Sequence, residues 1–183
     1  MKIVIAIGGA SGSIFARILL DTLENIKEHE VAIVLSENAE INWALENEHH
    51  ALEKYSFKRY AKSDFNAPFA SGSGKFDAMI ICPCSAGLLG RIANGVSDDL
   101  ISRAADVMLK ERKKLVLVFR ESPFNLIHIE NMQRISLAGG IICPAIPSFY
   151  SKPKSIEELV RTITNRALEL IGIDTNSFQW GSS

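Results

Sequence analysis

No sign of charge is in excess in this chain: 20 lysines and arginines stand against 21 aspartates and glutamates. A nucleic-acid surface built on a basic surplus is therefore not expected, and any anionic ligand has to be met by locally placed cations. Cysteine is scarce as well. Cys82, Cys84 and Cys143 leave one thiol unpaired, and Cys82 and Cys84 are too close for an ordinary disulfide, which suits a reducing, cytoplasmic setting. A C-x-C pair without a second pair is no zinc ligand set. No apolar run approaches the roughly 18–20 residues that span a bilayer. The apolar opening, MKIVIAI, is short, carries one lysine and runs into glycines without a cleavage-type site, so it reads as a buried first strand rather than a signal peptide. Internal repeats and low-complexity tracts are also missing.

What remains is an ordinary globular composition, 183 residues with 47% hydrophobic and 22% charged, enough for one domain with a sizeable core. Short apolar runs at 3–7, 31–35, 78–81, 115–118 and 140–143 have the length of buried parallel strands. Helix-patterned segments lie at 11–27, 39–47, 86–93, 99–112, 126–137 and 155–171. This alternation predicts a single-domain α/β fold, a doubly wound, Rossmann/flavodoxin-like parallel sheet with flanking helices, occupying residues 1–172. Ligands of such sheets bind beyond the carboxyl ends of the strands. The segment 62–75, rich in Ser, Gly, Pro and Ala, is long for a structureless loop and is expected near the ligand. Residues 173–183 form a tail with Trp180 as an apolar anchor, expected to cover the site or to fray.

The candidate chemistry sits at the strand ends. Gly8-Gly9-Ala10-Ser11-Gly12-Ser13 joins the first strand to a helix, either as a phosphate cradle of backbone N–H groups or as a tight turn capped by Ser11. Ser36 and Ser85 follow the next two long strands, so three strand ends present a hydroxyl to one edge. Each alone is a helix cap; together they suggest a nucleotide-like cofactor. Cys82 and Cys84 read as small buried side chains. Arg103 and Lys110 share a helix face about 10 Å apart along the axis; they either flank an anion or form a solvated ladder with Asp106 between them. Arg120 and Glu121 stand together after the 115–118 strand. The arginine suits a phosphate or a flavin carbonyl and the glutamate a proton transfer, with a simple ion pair as the bland alternative. Tyr150 and Arg166 add a phenol and a further cation. His49, His50 and His128 lack companion ligands and read as structural.

The stretches GGASGS, VLSENA, APFASGSGKFDAMIICPCSAG, LISRAADVMLKERKKLVLVFRESPF, LIHIENM and PAIPSFYSKPKSIEELV, in this order over nearly the whole chain, closely resemble the UbiX/Pad1 family of flavin prenyltransferases. The resemblance implies that Gly9, Ala10, Ser11, Ser36, Ser85, Ala86, Gly87, Leu88 and Arg120 bind FMN. It implies that Arg103, Lys110, Tyr150 and Arg166 hold the phosphate of dimethylallyl monophosphate, with Ser11 and Glu121 as the polar groups at the reacting centre. With cations to stabilise the leaving phosphate, no metal is called for. It also implies a dodecamer with sites between subunits, and a product used by a UbiD-type decarboxylase. Departures are Gly8 for a commoner threonine, and Phe65 and Phe119 where some relatives have tryptophan and proline. Two rivals are an FMN-dependent cysteine decarboxylase of the same fold, whose P-x-M-N motif and catalytic histidine are replaced here by RESPFNLIHIENM, and a non-catalytic flavin carrier.

Overall fold

The computed structural model describes residues 1–178 and 181. Six parallel strands, β1 (Lys2–Ile7), β2 (Glu30–Leu35), β3 (Lys58–Tyr60), β4 (Ala78–Cys84), β5 (Lys114–Phe119) and β6 (Ile141–Pro144), form one sheet in the order β3-β2-β1-β4-β5-β6. The order reverses between β1 and β4, and a switch of this kind leaves a crevice beyond the strand ends. Edge strand β3 has no counterpart among the expected runs, because KRY is polar and three residues long.

Alternate side chains of each strand leave for opposite faces. Ile3, Ile5, Ile7, Ile33, Ile80 and Val118 build one core with helices α1 (Ser13–Ile26) and α6 (Ile156–Ile171). Val4, Ala6, Met79, Ile81, Leu117 and Phe119 build the other with α3 (Ala86–Ala93), α4 (Leu100–Lys110) and α5 (Leu126–Leu137). Helix α2 (Glu37–Glu46) packs on α1 and contributes Trp43 to the first core. The three cysteines are free and buried, and burial pushes the thiols of Cys82 and Cys84 up, which keeps them protonated and inert.

Segment 62–75 is anchored rather than loose. It makes short 3-10 turns at Pro68–Ala70 and Gly72–Gly74, and Phe69, fully buried, packs edge-on against Tyr60 and Phe76 at 5.1 and 5.3 Å between ring centres. Beyond α6, Gly172 takes the left-handed conformation that ends the helix (φ 98°). Ile173 then returns to the core, and the hydroxyls of Thr175 and Ser177 donate to Glu169. Trp180, the expected anchor of the tail, lies outside the described residues.

Helix α4 begins at a capping box: Asp99 Oδ1 accepts the Ser102 N–H at 2.8 Å and Ser102 Oγ accepts the Asp99 N–H at 3.2 Å. Arg91 binds Asp98 and Asp99 at 2.7 and 2.8 Å. Partial burial raises the Asp99 carboxyl, but the bonds from Ser102 and Arg91 outweigh it and hold the group below its ordinary 3.8. The stabilisation is therefore complete above that pH and is lost as pH falls through the lower folded value. Asp99→Asn keeps the cap and loses the ion pair with Arg91, so at neutral pH it should cost up to about 1 kcal/mol. Melting curves should bring the two proteins together as pH drops below 4; a gap that persists in acid would assign the effect to something other than the carboxylate.

Candidate functional site

The strand ends are held level by hydrogen bonds between the residues that follow them. Gly8 N–H donates to Pro83 O at 3.0 Å, Ser36 N–H to Ile7 O at 3.1 Å, Arg120 N–H to Cys84 O at 3.0 Å and Ala145 N–H to Phe119 O at 2.8 Å. The approach between β1 and β4 explains Gly8: a Cβ there would lie 2.5 Å from the Pro83 carbonyl oxygen. A register shift in β4 between Ile81 and Cys84 turns its last residues toward the same edge.

A cleft of about 400 Å³ opens there, lined by Gly9, Ser36, Lys62, Ser85, Gly87 and Arg91 among others. Ser36 Oγ caps α2 by accepting the Ala39 N–H at 3.2 Å, and Ser85 Oγ caps α3 by accepting the Leu88 N–H at 3.3 Å. Cap and ligand contact are thus compatible, because an accepting hydroxyl still has its own proton to donate. Gly87 faces open space, with nothing within 4 Å of a Cβ placed on it. Beside Ser85, along the same edge, Arg120 and Glu121 line a second hollow of about 360 Å³ with Phe119 and Phe124. The Arg120–Glu121 ion pair, the bland alternative for these two residues, is not among those of the described residues. Glu121 Oε1 accepts the Ser122 N–H at 3.2 Å, and Arg120 Nε is buried without a hydrogen-bond partner among the described residues. Leaving a buried donor unmatched costs about 1–3 kcal/mol, and a ligand acceptor would remove that cost.

The start of α1 departs from the expected cap by Ser11. Gly12, not Ser11, is the capping position, and its conformation (φ 97°) is left-handed. Two of the N–H groups there, those of Gly12 and Ser13, are taken by a carboxylate of the chain itself. Glu46 Oε2, from the last turn of α2, accepts from Gly12 N–H at 2.9 Å, Ser13 N–H at 2.6 Å and Ser13 Oγ–H at 2.8 Å, with the Ser11 hydroxyl beside the carboxylate. Partial burial raises this carboxyl, and the hydrogen bonds from Ser11, Ser13 and Gly12 more than compensate, so it lies below the usual glutamate value. Nothing in the sequence marks Glu46. Its partners lie more than thirty positions away, and only the packing of α2 on α1 brings them together.

The cations divide between the two faces. Arg103 Nε donates to Ala70 O at 3.0 Å and its guanidinium pairs with Asp106 at 2.9 Å. Lys110 pairs with Glu111 at 2.7 Å rather than with Asp106. Both lie on α4, whereas Arg166 lies on α6 across the sheet, 3.5 Å from Glu169, beside a cleft of about 550 Å³ that also contains Ser148, Arg161 and Phe178. Tyr150, in the loop after β6, is exposed. A single chain therefore does not gather Arg103, Lys110, Tyr150 and Arg166 into one site. His128 is occupied structurally: it belongs to the Asn125 capping box of α5 and sits edge-on to Phe119.

A family model described as Flavoprotein matches residues 1–168. The flavin prenyltransferase UbiX of Methanocaldococcus jannaschii is 43% identical over 185 residues, covering 100% of both chains. Among solved structures, AnUbiX (PadA1) in complex with FMN and dimethylallyl pyrophosphate aligns with a TM-score of 0.92 at 40% identity, over 97% of this chain and 95% of that one. A dodecameric FMN-dependent UbiX-like decarboxylase from Escherichia coli aligns with a TM-score of 0.92 at 35% identity, over 98% and 99%.

Proposed function

This chain belongs to the UbiX family of flavin prenyltransferases, within the wider Flavoprotein family, and we propose that it transfers a dimethylallyl group from dimethylallyl monophosphate to reduced FMN, giving prenylated FMN for a UbiD-type decarboxylase. The observation that carries the assignment is Arg120 Nε, buried and without a hydrogen-bond partner among the described residues, on the strand-end edge that carries the Ser36 and Ser85 hydroxyls. That donor set fits the carbonyl-rich edge and phosphate of a flavin nucleotide.

Gly9, Ala10, Ser11, Ser36, Ser85, Ala86, Gly87, Leu88 and Arg120 would hold FMN, the glycines by leaving room for close approach and the rest through hydroxyl, backbone and guanidinium donors. Reduced FMN supplies the nucleophilic N5 and the C6 position at which the five-carbon unit closes a ring. Ser11 stands beside Glu46 and would take the incoming proton on an oxygen lone pair while its own O–H proton passes to the carboxylate. Glu121, next to Arg120, is the proton donor to the departing phosphate. Arg103, Lys110, Tyr150 and Arg166 grip that phosphate and stabilise the charge that develops as the allylic C–O bond breaks.

Because α4 and α6 lie on opposite faces of one chain, the grip is completed between subunits of a homo-oligomer. The dodecameric state of the Escherichia coli neighbour supports an assembly of this kind. The tail after Gly172 then borders the shared site, since Phe178 and Arg166 line one cleft. No helix of the described residues is long and apolar enough to cross a membrane, and the buried free thiols support a cytoplasmic location. The cysteine-decarboxylase alternative needs a free histidine, whereas His128 is tied into a helix cap.

Anaerobic incubation with reduced FMN and dimethylallyl monophosphate, followed by mass spectrometry of the extracted flavin, should show FMN heavier by one prenyl unit. Bound but unchanged FMN would move the assignment to a decarboxylase or carrier. In the same assay Glu121→Gln should slow the reaction by about 10²-fold or more, and an undiminished rate would remove Glu121 from the mechanism.

A further inference from the structure

Behind Glu46 runs a buried polar chain that the proposed reaction does not use. Ser13 Oγ, which donates to Glu46 Oε2 at 2.8 Å, accepts from Asn47 Nδ2 at 2.7 Å, and Asn47 Oδ1 accepts from Arg17 Nε at 3.1 Å. Ser13, Asn47 and Arg17 are 1%, 5% and 9% exposed. Buried polar side chains incur desolvation that apolar ones of similar volume avoid, so core filling does not explain this choice of residues.

The direction of the chain is unambiguous, because a guanidinium only donates. Facing Arg17, Asn47 has to present its oxygen, which aims its amide N–H at Ser13. Ser13 Oγ then accepts, and its single proton goes to Glu46, since the other acceptor in reach, Asn42 O, is at 3.4 Å. Glu46 Oε2 thereby receives three donors: the Gly12 and Ser13 N–H groups and the Ser13 hydroxyl. Its lone pairs are filled. Oε1, with one longer bond of 3.2 Å from Gly12 N–H, is the less occupied oxygen, and Ser11, which helps to hold this carboxyl low, is the neighbouring hydroxyl.

Arg17 is itself fixed from three elements. Asp21 on α1 lies 3.7 Å and Glu157 on α6 3.4 Å from its guanidinium. Tyr55, after the turn at Leu52–Lys54, donates to the Arg17 carbonyl at 3.2 Å and to Asp21 at 2.9 Å. Lys54 pairs with Asp21 at 2.8 Å, and the His50 backbone N–H donates to Asn47 O at 2.8 Å. Burial and Asp21 push the Tyr55 hydroxyl up, which keeps it a donor.

We propose that Arg17 and Asn47 are positioning residues for proton transfer at Ser11: acting through Ser13, they fill one oxygen of Glu46 and reserve the other as the acceptor. The inference rests on the prenyl-transfer reading, and two readouts separate them. Asn47→Asp keeps an acceptor for Arg17 but has no donor for Ser13, and it brings a like charge toward Glu46. In flavin-free protein, a carboxyl ¹³C NMR titration of Glu46 should move to higher pH. With substrates, the rate near neutrality should fall by about 10²-fold and the acid limb of the pH–rate profile should shift up, while FMN affinity stays that of the wild type. Ser13→Ala, which removes one donor from Oε2 and serves if Asn47→Asp does not fold, should move the titration the same way, with Ser13→Thr restoring it. An unmoved Glu46 titration overturns the inference whether or not the wild type prenylates FMN. Absence of prenylation by the wild type, with the titration moved, overturns the function assignment alone.

Discussion

Glu46→Gln should lower the rate of flavin prenylation by about 10²–10⁴-fold, the range of a lost general base, while the protein stays folded and binds FMN. Glutamine has the shape of glutamate but one oxygen fewer. The Gly12 and Ser13 N–H groups and the Ser13 hydroxyl all require an acceptor, so the amide oxygen is drawn to them and its NH₂ is turned toward Ser11. Ser11, which helps to hold the Glu46 carboxyl low in the native chain, would then face a donor, and its lone pair would be occupied where the proton has to arrive. Loss of the negative charge at the start of α1 should cost about 0.3–1 kcal/mol. The sign of the accompanying pH effect follows from the lowered carboxyl: its stabilisation is complete above the ordinary glutamate value and disappears as pH falls through the lower folded one. Wild type and Glu46→Gln should therefore converge in thermal stability in acid while still differing in activity at neutral pH. Single-turnover mass spectrometry and melting curves on the same samples decide it, and a variant that prenylates at full rate would leave Glu46 a helix cap and nothing more.

Phe69→Ala should produce the largest loss of stability, about 3–5 kcal/mol for a fully buried aromatic ring, or roughly 6–20 °C in Tm for a chain of this size. The ring is fully buried and holds Tyr60 of the edge strand and Phe76 before β4 in edge-to-face contact. It is thus the pin that fixes segment 62–75 to the sheet. Two contacts at the candidate site depend on that segment: Lys62 lines the cleft and accepts the Leu100 N–H at 2.7 Å through its carbonyl, and Ala70 O holds Arg103 at 3.0 Å. In protein kept folded below its lowered Tm, the KM for dimethylallyl monophosphate should rise more than kcat falls, because Arg103, proposed above to grip that phosphate, is freed while Ser11 and Glu46 are untouched. A melting temperature equal to the wild type would show that the surrounding rings close the cavity and that the segment is anchored elsewhere.

Local patterning was enough to read most of the architecture. Strands β1, β2, β4 and β5 are buried on both faces, so each is a continuous apolar run between turn residues, and such runs stand out in a sequence. The serines after β2 and β4 were legible for the same reason, since a residue directly after a buried parallel strand has one edge to occupy. β3 was not legible, because a three-residue edge strand buries too little to demand apolar side chains. Segment 62–75 looked loose because its Ser and Gly content hides a single anchoring ring.

The sequence by itself determined the fold class, the edge on which the chemistry collects, the row of strand-end residues and, through its ordered motifs, the resemblance to a flavin-modifying family. These depend on neighbours in the chain and on patterns of period two and 3.6, which any single chain displays openly. Tertiary structure alone decided which anion meets the Gly12 and Ser13 N–H groups, which oxygen of Glu46 carries fewer hydrogen bonds, that Arg120 stands beside Glu121 without an ion pair among the described residues, and that the helix of Arg103 and Lys110 lies on the face opposite that of Arg166. Those are matters of a few tenths of an ångström between residues distant in sequence, and hydrogen bonds, unlike hydrophobic patterning, are directional and short-ranged. They come into being only when the helices have packed.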